Sequence, residues 1–145
     1  MGARKIKVNP YNGLDSDLKS LAKFAFIYES QIKFYSTEEE FRKHFPNAFY
    51  IYKHEMDKRI RPVKTKDIPN ISPNDTITFY FTSGKYKVRE LCRHLRNSFS
   101  HALLKKNGNK LVVTDMYRKR NTSIGYLQYT TIIDFLKKII AEYEQ

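Results

Sequence analysis

The chain has 145 residues, 27 Lys+Arg against 15 Asp+Glu, a formal net charge of +12, and 41% apolar residues with 11 Tyr and 10 Phe. That length suits one core, and the aromatic content excludes a chain that is disordered throughout. No apolar run approaches the roughly 20 residues of a membrane span, and the single cysteine, Cys92, excludes an internal disulfide or a multi-cysteine zinc cluster.

The segment Met1–Lys7 leads into no apolar stretch, so a cytoplasmic protein without a leader is expected. From Leu14 to Tyr35, the residues Leu14, Leu18, Leu21, Ala25, Tyr28, Ile32 and Tyr35 recur at four- and three-residue spacing. This draws one apolar stripe down a helix of about six turns, the spine of a bundle, with Asp15 or Ser16 as its cap. Thr37-Glu38-Glu39-Glu40 reads as a capping box, in which the Thr37 hydroxyl and the Glu40 carboxylate satisfy each other's backbone donors. The helix it opens is short because Pro46 follows. Phe49, Tyr52, Met56 and Ile60 mark a further helical stripe. Arg61 to Pro73 carries Pro62, Pro69 and Pro73 and reads as a loop. Ser72-Pro73-Asn74-Asp75 resembles a helix start, yet Thr76 to Phe81 is β-branched and aromatic, so strand and helix both stand there. Tyr86 to Leu104 is the second strong helix, burying Val88, Leu91, Cys92, Leu95, Phe99, Ala102 and Leu103 and terminated by Asn107-Gly108. Lys110–Tyr117 and Thr122–Gln128 form a hairpin around the basic turn Arg118-Lys119-Arg120-Asn121. A last helix from about Thr130 to Tyr143 faces Ile132, Leu136, Ile139 and Tyr143 inward. The expected fold is mainly α: a helical bundle carrying a small late β-hairpin, with residues 1–145 as one domain.

The charge is concentrated. Residues 84–121 hold 11 basic and 2 acidic residues, a net of +9, whereas residues 1–83 hold 14 and 10, and residues 122–145 hold 2 and 3. Nucleic-acid backbone is the partner such a segment fits, since Lys and Arg contacts to phosphate dominate its affinity. Arg93, Lys105, Lys106, Arg118, Lys119 and Arg120 are the candidate RNA contacts, and Tyr117 and Tyr126 are candidates for base stacking. An anionic membrane surface and a merely solvated basic face are the competing readings.

Within the second strong helix lies Arg93-His94-Leu95-Arg96-Asn97-Ser98-Phe99-Ser100-His101. At about 100° per residue, Asn97 lies about 100° and His101 about 140° from Arg96, so the three share a polar sector facing solvent, a cleft or a partner chain. Arg is a permanent cation matched to phosphate oxygens, and His transfers protons near neutral pH. Together they suit gripping an RNA phosphate while activating the adjacent 2′-hydroxyl. That reaction needs no metal and no cofactor. No dense carboxylate cluster surrounds the helix, and Asp134 alone makes a poor magnesium site. His94 is expected to be structural, His44 and His54 to lie at the surface, and Cys92 to lie in the core.

Arg96-Asn97-Ser98-Phe99-Ser100-His101 fits the R-N-x-x-x-H form of the motif of HEPN-domain proteins. Requiring Asn after Arg lowers the chance expectation from about 0.25 to about 0.015 matches, which separates this match from the bare one at Arg89 to His94. A hairpin-like insertion and a closing amphipathic helix extend the resemblance over roughly residues 85 to 143. The chain is similar to HEPN ribonucleases of toxin–antitoxin, abortive-infection and phage-defence systems. The resemblance implies an all-α bundle and a metal-independent endoribonuclease in which Arg96 and His101 are catalytic and Asn97 supports them. It also implies a cleft shared by two protomers and an antitoxin or nucleotidyltransferase partner. Phosphoryl transfer needs both a base and an acid, and one Arg and one His per chain offer a single proton shuttle, which again points to a homodimer. The leading rival is a non-catalytic RNA-binding or scaffold domain of the same fold. A DNA-binding regulator is a third reading, without helix-turn-helix spacing to support it.

Overall fold

In the computed structural model, which describes residues 13–63, 79–82, 86–117 and 120–145, helices dominate and five strands form one small sheet. Helix α1 (Leu18–Ser30) occupies the middle of the first apolar stripe and, with the residues beside it, buries Leu14, Leu21, Phe24, Ile27, Tyr28 and Ile32. It is shorter than the six turns expected. The backbone leaves helical geometry at Gln31 (φ −138°, ψ −59°), and short 3₁₀ turns, Asp15–Asp17 and Ile32–Phe34, flank it. The apolar period survives this break because Ile32 still faces the core, so periodicity alone could not reveal it.

Helix α2 (Glu38–His44) starts at Thr37, whose hydroxyl accepts the Glu40 N–H at 3.2 Å. Only half of the expected capping box forms, because the Glu40 carboxylate accepts the Ser36 hydroxyl at 2.8 Å instead. Helix α3 (Pro46–Ile51) has Pro46 in its first turn, and a distant side chain caps it: Glu142 accepts the N–H groups of Asn47 and Ala48 at 3.1 and 2.9 Å. The stripe from Phe49 to Ile60 is not one regular helix. It loosens to a π turn at Tyr52–Met56, tightens to a 3₁₀ turn at Asp57–Arg59, and enters a strand at Ile60.

The strands are β1 (Ile60–Val63), β2 (Phe79–Thr82), β3 (Lys105–Asn107), β4 (Lys110–Tyr117) and β5 (Arg120–Gln128), ordered β1-β2-β5-β4-β3. β1 runs parallel to β2, and the other pairs are antiparallel. The expected lone hairpin is thus the β4–β5 core of a larger sheet. Its strands pair as far as Tyr117 and Arg120, a tighter connection than the four-residue turn expected. Residues 61–63 are strand rather than loop; Pro62 is tolerated because β1 is an edge strand, where a missing donor costs no ladder bond. Phe79 to Phe81 are strand, while Ser72–Asp75 and Thr76–Thr78 lie outside the described residues.

Helix α4 (Lys87–Ser100) buries Val88, Leu91, Cys92 and Leu95, and burial pushes the Cys92 thiol pKa up. It ends before the expected Leu104. The Leu103 N–H returns to Ser98 O at 2.7 Å and the Ala102 N–H to Phe99 O at 3.1 Å, with Ala102 at φ +57°. This is a Schellman closure with alanine where glycine is usual. Asn107-Gly108 therefore terminates no helix. Gly108, at φ +62°, and Asn109 turn β3 into β4, with Asn107 paired to Lys110. Helix α5 (Tyr129–Tyr143) buries Ile132, Leu136 and Ile139 and leaves Tyr143 half-buried. α1 packs on α4 and α5, α3 packs on α5, and α4 lies against β4. Among the described residues no helix is long and apolar enough to cross a membrane.

Candidate active site

Helix α4 packs against the sheet with a polar stripe, and that stripe builds the site. Glu90, His94 and Ser98 are buried on it, four residues apart. Across from them, Asp115 of β4 lies on the same strand face as Leu111 and Val113, and its residue is 3% exposed. A buried carboxylate needs donors, and three converge here. His94 Nδ1 lies 3.0 Å from Oδ2, Asn97 Nδ2 donates to Oδ2 at 3.0 Å, and the Met116 N–H donates to Oδ1 at 2.9 Å. Arg93 Nη2 stands 3.4 Å from His94 Nε2. A guanidinium only donates, so His94 accepts through Nε2 and gives its Nδ1–H to Asp115. Burial pushes the Asp115 pKa up, but the bonds from His94 and Asn97 outweigh it and hold it below the usual carboxylate range. Ser98 donates its hydroxyl to Thr114 O, fastening helix to strand one residue away.

Asn97 is a two-sided bridge. While its Nδ2 serves Asp115, its Oδ1 accepts Arg96 Nη1 at 3.0 Å. Arg96 also reaches α1, where its Nε sits 2.9 Å from Glu29 Oε1 at ion-pair distance, without the N–H aligned as a hydrogen bond. Lys33, bonded to Glu29 at 2.8 Å, and then Arg96 hold the Glu29 carboxyl below its ordinary range. The motif arginine is thus partnered on both sides.

His101 is the residue that caps the C-terminus of α4, and it is exposed. Its Nδ1 lies 4.0 Å from Asp115 Oδ1. Beside it opens a cleft of about 380 Å³ lined by Arg93, Asn97, His101, Asp115, Met116 and Thr122. The arginine among these is Arg93; Arg96 joins the site through Asn97. Of the polar sector expected for the motif, Asn97 and His101 therefore face a cleft between helix and sheet, whereas Arg96 turns toward Glu29 of α1.

The +9 segment is less free than its composition implies. Glu90, 1% exposed, takes Arg89 Nη1 at 2.8 Å and Arg93 Nε at 3.0 Å. With Arg96 against Glu29, three of the segment's arginines face carboxylates. Lys105 and Lys106 stand exposed on edge strand β3, with Lys106 Nζ 4.4 Å from the centre of the Tyr129 ring. Arg118 and Lys119, and the side chains of Arg120 and Tyr117, lie outside the described residues. Tyr126, one of the two base-stacking candidates, is buried beneath Lys110 and offers no face for a base. His44 stacks on Tyr35 and His54 lies tilted against Tyr50, both at the surface as expected. Asp134 is exposed on α5 and lines no part of the cleft. Among the described residues no three His, Cys, Asp or Glu side chains gather as a metal site.

Asp115 is the residue that sequence reasoning missed. A signal existed: within Leu111-Val112-Val113-Thr114-Asp115, period-two alternation puts a carboxylate on the face of Leu111 and Val113. An inward-facing charge needs a partner, and the polar stripe of α4 supplies it. No protein-family model, curated protein or solved structure matches the chain.

Proposed function

We propose that the chain is a metal-independent endoribonuclease of HEPN type, a cytoplasmic toxin or phage-defence and abortive-infection effector. One observation carries this reading: Asn97 links Arg96 to Asp115 beside the exposed His101, in a cleft that Arg93 also lines. His101 takes the proton of an RNA 2′-hydroxyl, the freed oxygen bonds to the adjacent phosphorus, and the bond from phosphorus to the 5′ oxygen breaks. The leaving oxygen takes a proton from a second histidine, which a homodimer packed across this cleft supplies as the His101 of the other copy. Arg96 and Arg93 stabilise the charge that builds on the phosphate. Lys105 and Lys106 extend the phosphate track along β3.

The ion pair from Arg96 to Glu29 favours a second reading, a non-catalytic RNA-binding or scaffold domain, because a paired guanidinium is not free for phosphate. Cleavage of a mixed-sequence RNA in EDTA separates the two. A ribonuclease cleaves RNA and spares DNA. Arg96→Ala lowers its rate on the order of 10²-fold or more, and His101→Ala by about 10²–10⁴-fold. A scaffold binds RNA and cleaves nothing.

A further inference from the structure

We propose that Asp115 is the positioning residue of this cleft: its Oδ1 takes the Nδ1–H of His101 and turns Nε2 toward the substrate. The inference rests on the reading of His101 as the proton carrier, and its grounds are geometric. The two oxygens of the carboxylate are used differently. Oδ2 is filled by His94 and Asn97, whereas Oδ1 holds the Met116 N–H and stands 4.0 Å from His101 Nδ1. A register shift at Asp115 and Met116 interrupts the β4–β5 ladder where this carboxylate leaves the strand, the kind of irregularity that re-aims a side chain.

Backbone on the other side is fixed as well. The His101 N–H is bonded to Asn97 O at 3.0 Å, and the Schellman closure follows immediately. Only side-chain torsions separate the imidazole from Oδ1, and its exposure leaves them free to turn. Catalytic hydrogen bonds are commonly long before substrate arrives. Glu90, the other buried carboxylate of α4, is occupied by Arg89 and Arg93 and cannot substitute.

The chemistry follows. A neutral imidazole carries one N–H, and a carboxylate beside Nδ1 keeps the proton there. The lone pair on Nε2 then meets the 2′-hydroxyl, and the imidazolium formed by proton transfer is stabilised by the Asp115 charge. A His101 of the opposite tautomer presents an N–H to the hydroxyl and accepts nothing.

Long-range ¹H–¹⁵N correlation of the histidine rings in the full chain, in mildly alkaline buffer, reads the tautomer, with His101→Asn identifying the His101 signals. The wild-type chain is expected to hold His101 as the Nδ1–H form, and folded Asp115→Asn to move it to the Nε2–H form. A wild-type His101 in the Nε2–H form overturns the proposal, as does a folded Asp115→Asn variant with an unchanged tautomer. The wild-type spectrum decides the matter even where the variant does not fold, and it needs no RNA. A chain that cleaves no RNA therefore overturns the nuclease reading, while the spectrum still judges the positioning of His101. With cleavage present, Asp115→Asn is expected to lower kcat about 10²–10⁴-fold with KM nearly unchanged. In the His101→Ala background the same change is expected to add almost nothing.

Discussion

Replacing His94 by Ala removes the buried donor that holds Asp115, and its cost can be worked from the site. His94 is 0% exposed, so no water takes its place at the carboxylate without entering the core. A hydrogen bond to a charged group is worth about 1.5–3 kcal/mol. The ring also packs against Phe79 and Phe81, with centroids 6.2 and 6.0 Å away, and the cavity left there adds about 1–2 kcal/mol. The total, about 2.5–5 kcal/mol, overlaps the about 3–5 kcal/mol lost when a buried charge is left without its partner. It is a large share of the about 5–15 kcal/mol that holds a domain together. Urea unfolding followed by circular dichroism measures it as a lower midpoint at unchanged slope. His94→Asn keeps a donor near the Nδ1 position and is expected to recover about half of the loss. The linkage adds a pH signature. Because Asp115 has its carboxyl lowered in the fold, its contribution is complete above the ordinary carboxylate range and is lost as pH falls through the folded value. The wild-type and His94→Ala curves should therefore approach each other in acid, to within the about 1–2 kcal/mol of the pH-independent cavity. A loss below about 1 kcal/mol, or an Asn variant no better than Ala, refutes the claim that this pair fastens α4 to β4.

Ala102→Gly should stabilise the chain by about 0.5–1 kcal/mol, since φ +57° suits glycine; a thermal melt shows the gain as a higher Tm. Glu142→Ala, which uncaps α3 from a distance, should cost about 0.5–2 kcal/mol, read by urea midpoint. Lys105→Ala and Lys106→Ala should each flatten the log–log salt dependence of binding to single-stranded RNA by about 0.7, with fluorescence anisotropy as the assay; slopes equal to wild type would remove β3 from the phosphate track.

The helices were legible where an apolar period met a clear boundary. Val88, Leu91, Cys92 and Leu95 marked α4, and Ile132, Leu136 and Ile139 marked α5, because burial against neighbours is what those periods encode. Boundaries were less legible. Asn107-Gly108 looked like a helix stop, but a Schellman closure can form on Ala102, which carries no glycine signal. β1 was hidden by Pro62, harmless only because the strand is at an edge, and that depends on a parallel pairing with a distant segment. The same limit applies to the site. Arg96, Asn97 and His101 declare themselves at helical spacing, whereas Asp115 joins them from 18 residues beyond Asn97 through sheet packing. Nor does composition say that Arg89 and Arg93 close on Glu90 along α4, or that Arg96 stands against Glu29, a pair that requires α1 and α4 to lie side by side.

End-group analysis of RNA cut by the wild-type chain in EDTA tests the central claim most directly. The account predicts a 2′,3′-cyclic phosphate and a 5′-hydroxyl at each cut, and no cut where a single 2′-deoxy nucleotide replaces the attacking one. Products ending in a 3′-hydroxyl and a 5′-phosphate, or cleavage that survives the 2′-deoxy substitution, would contradict it.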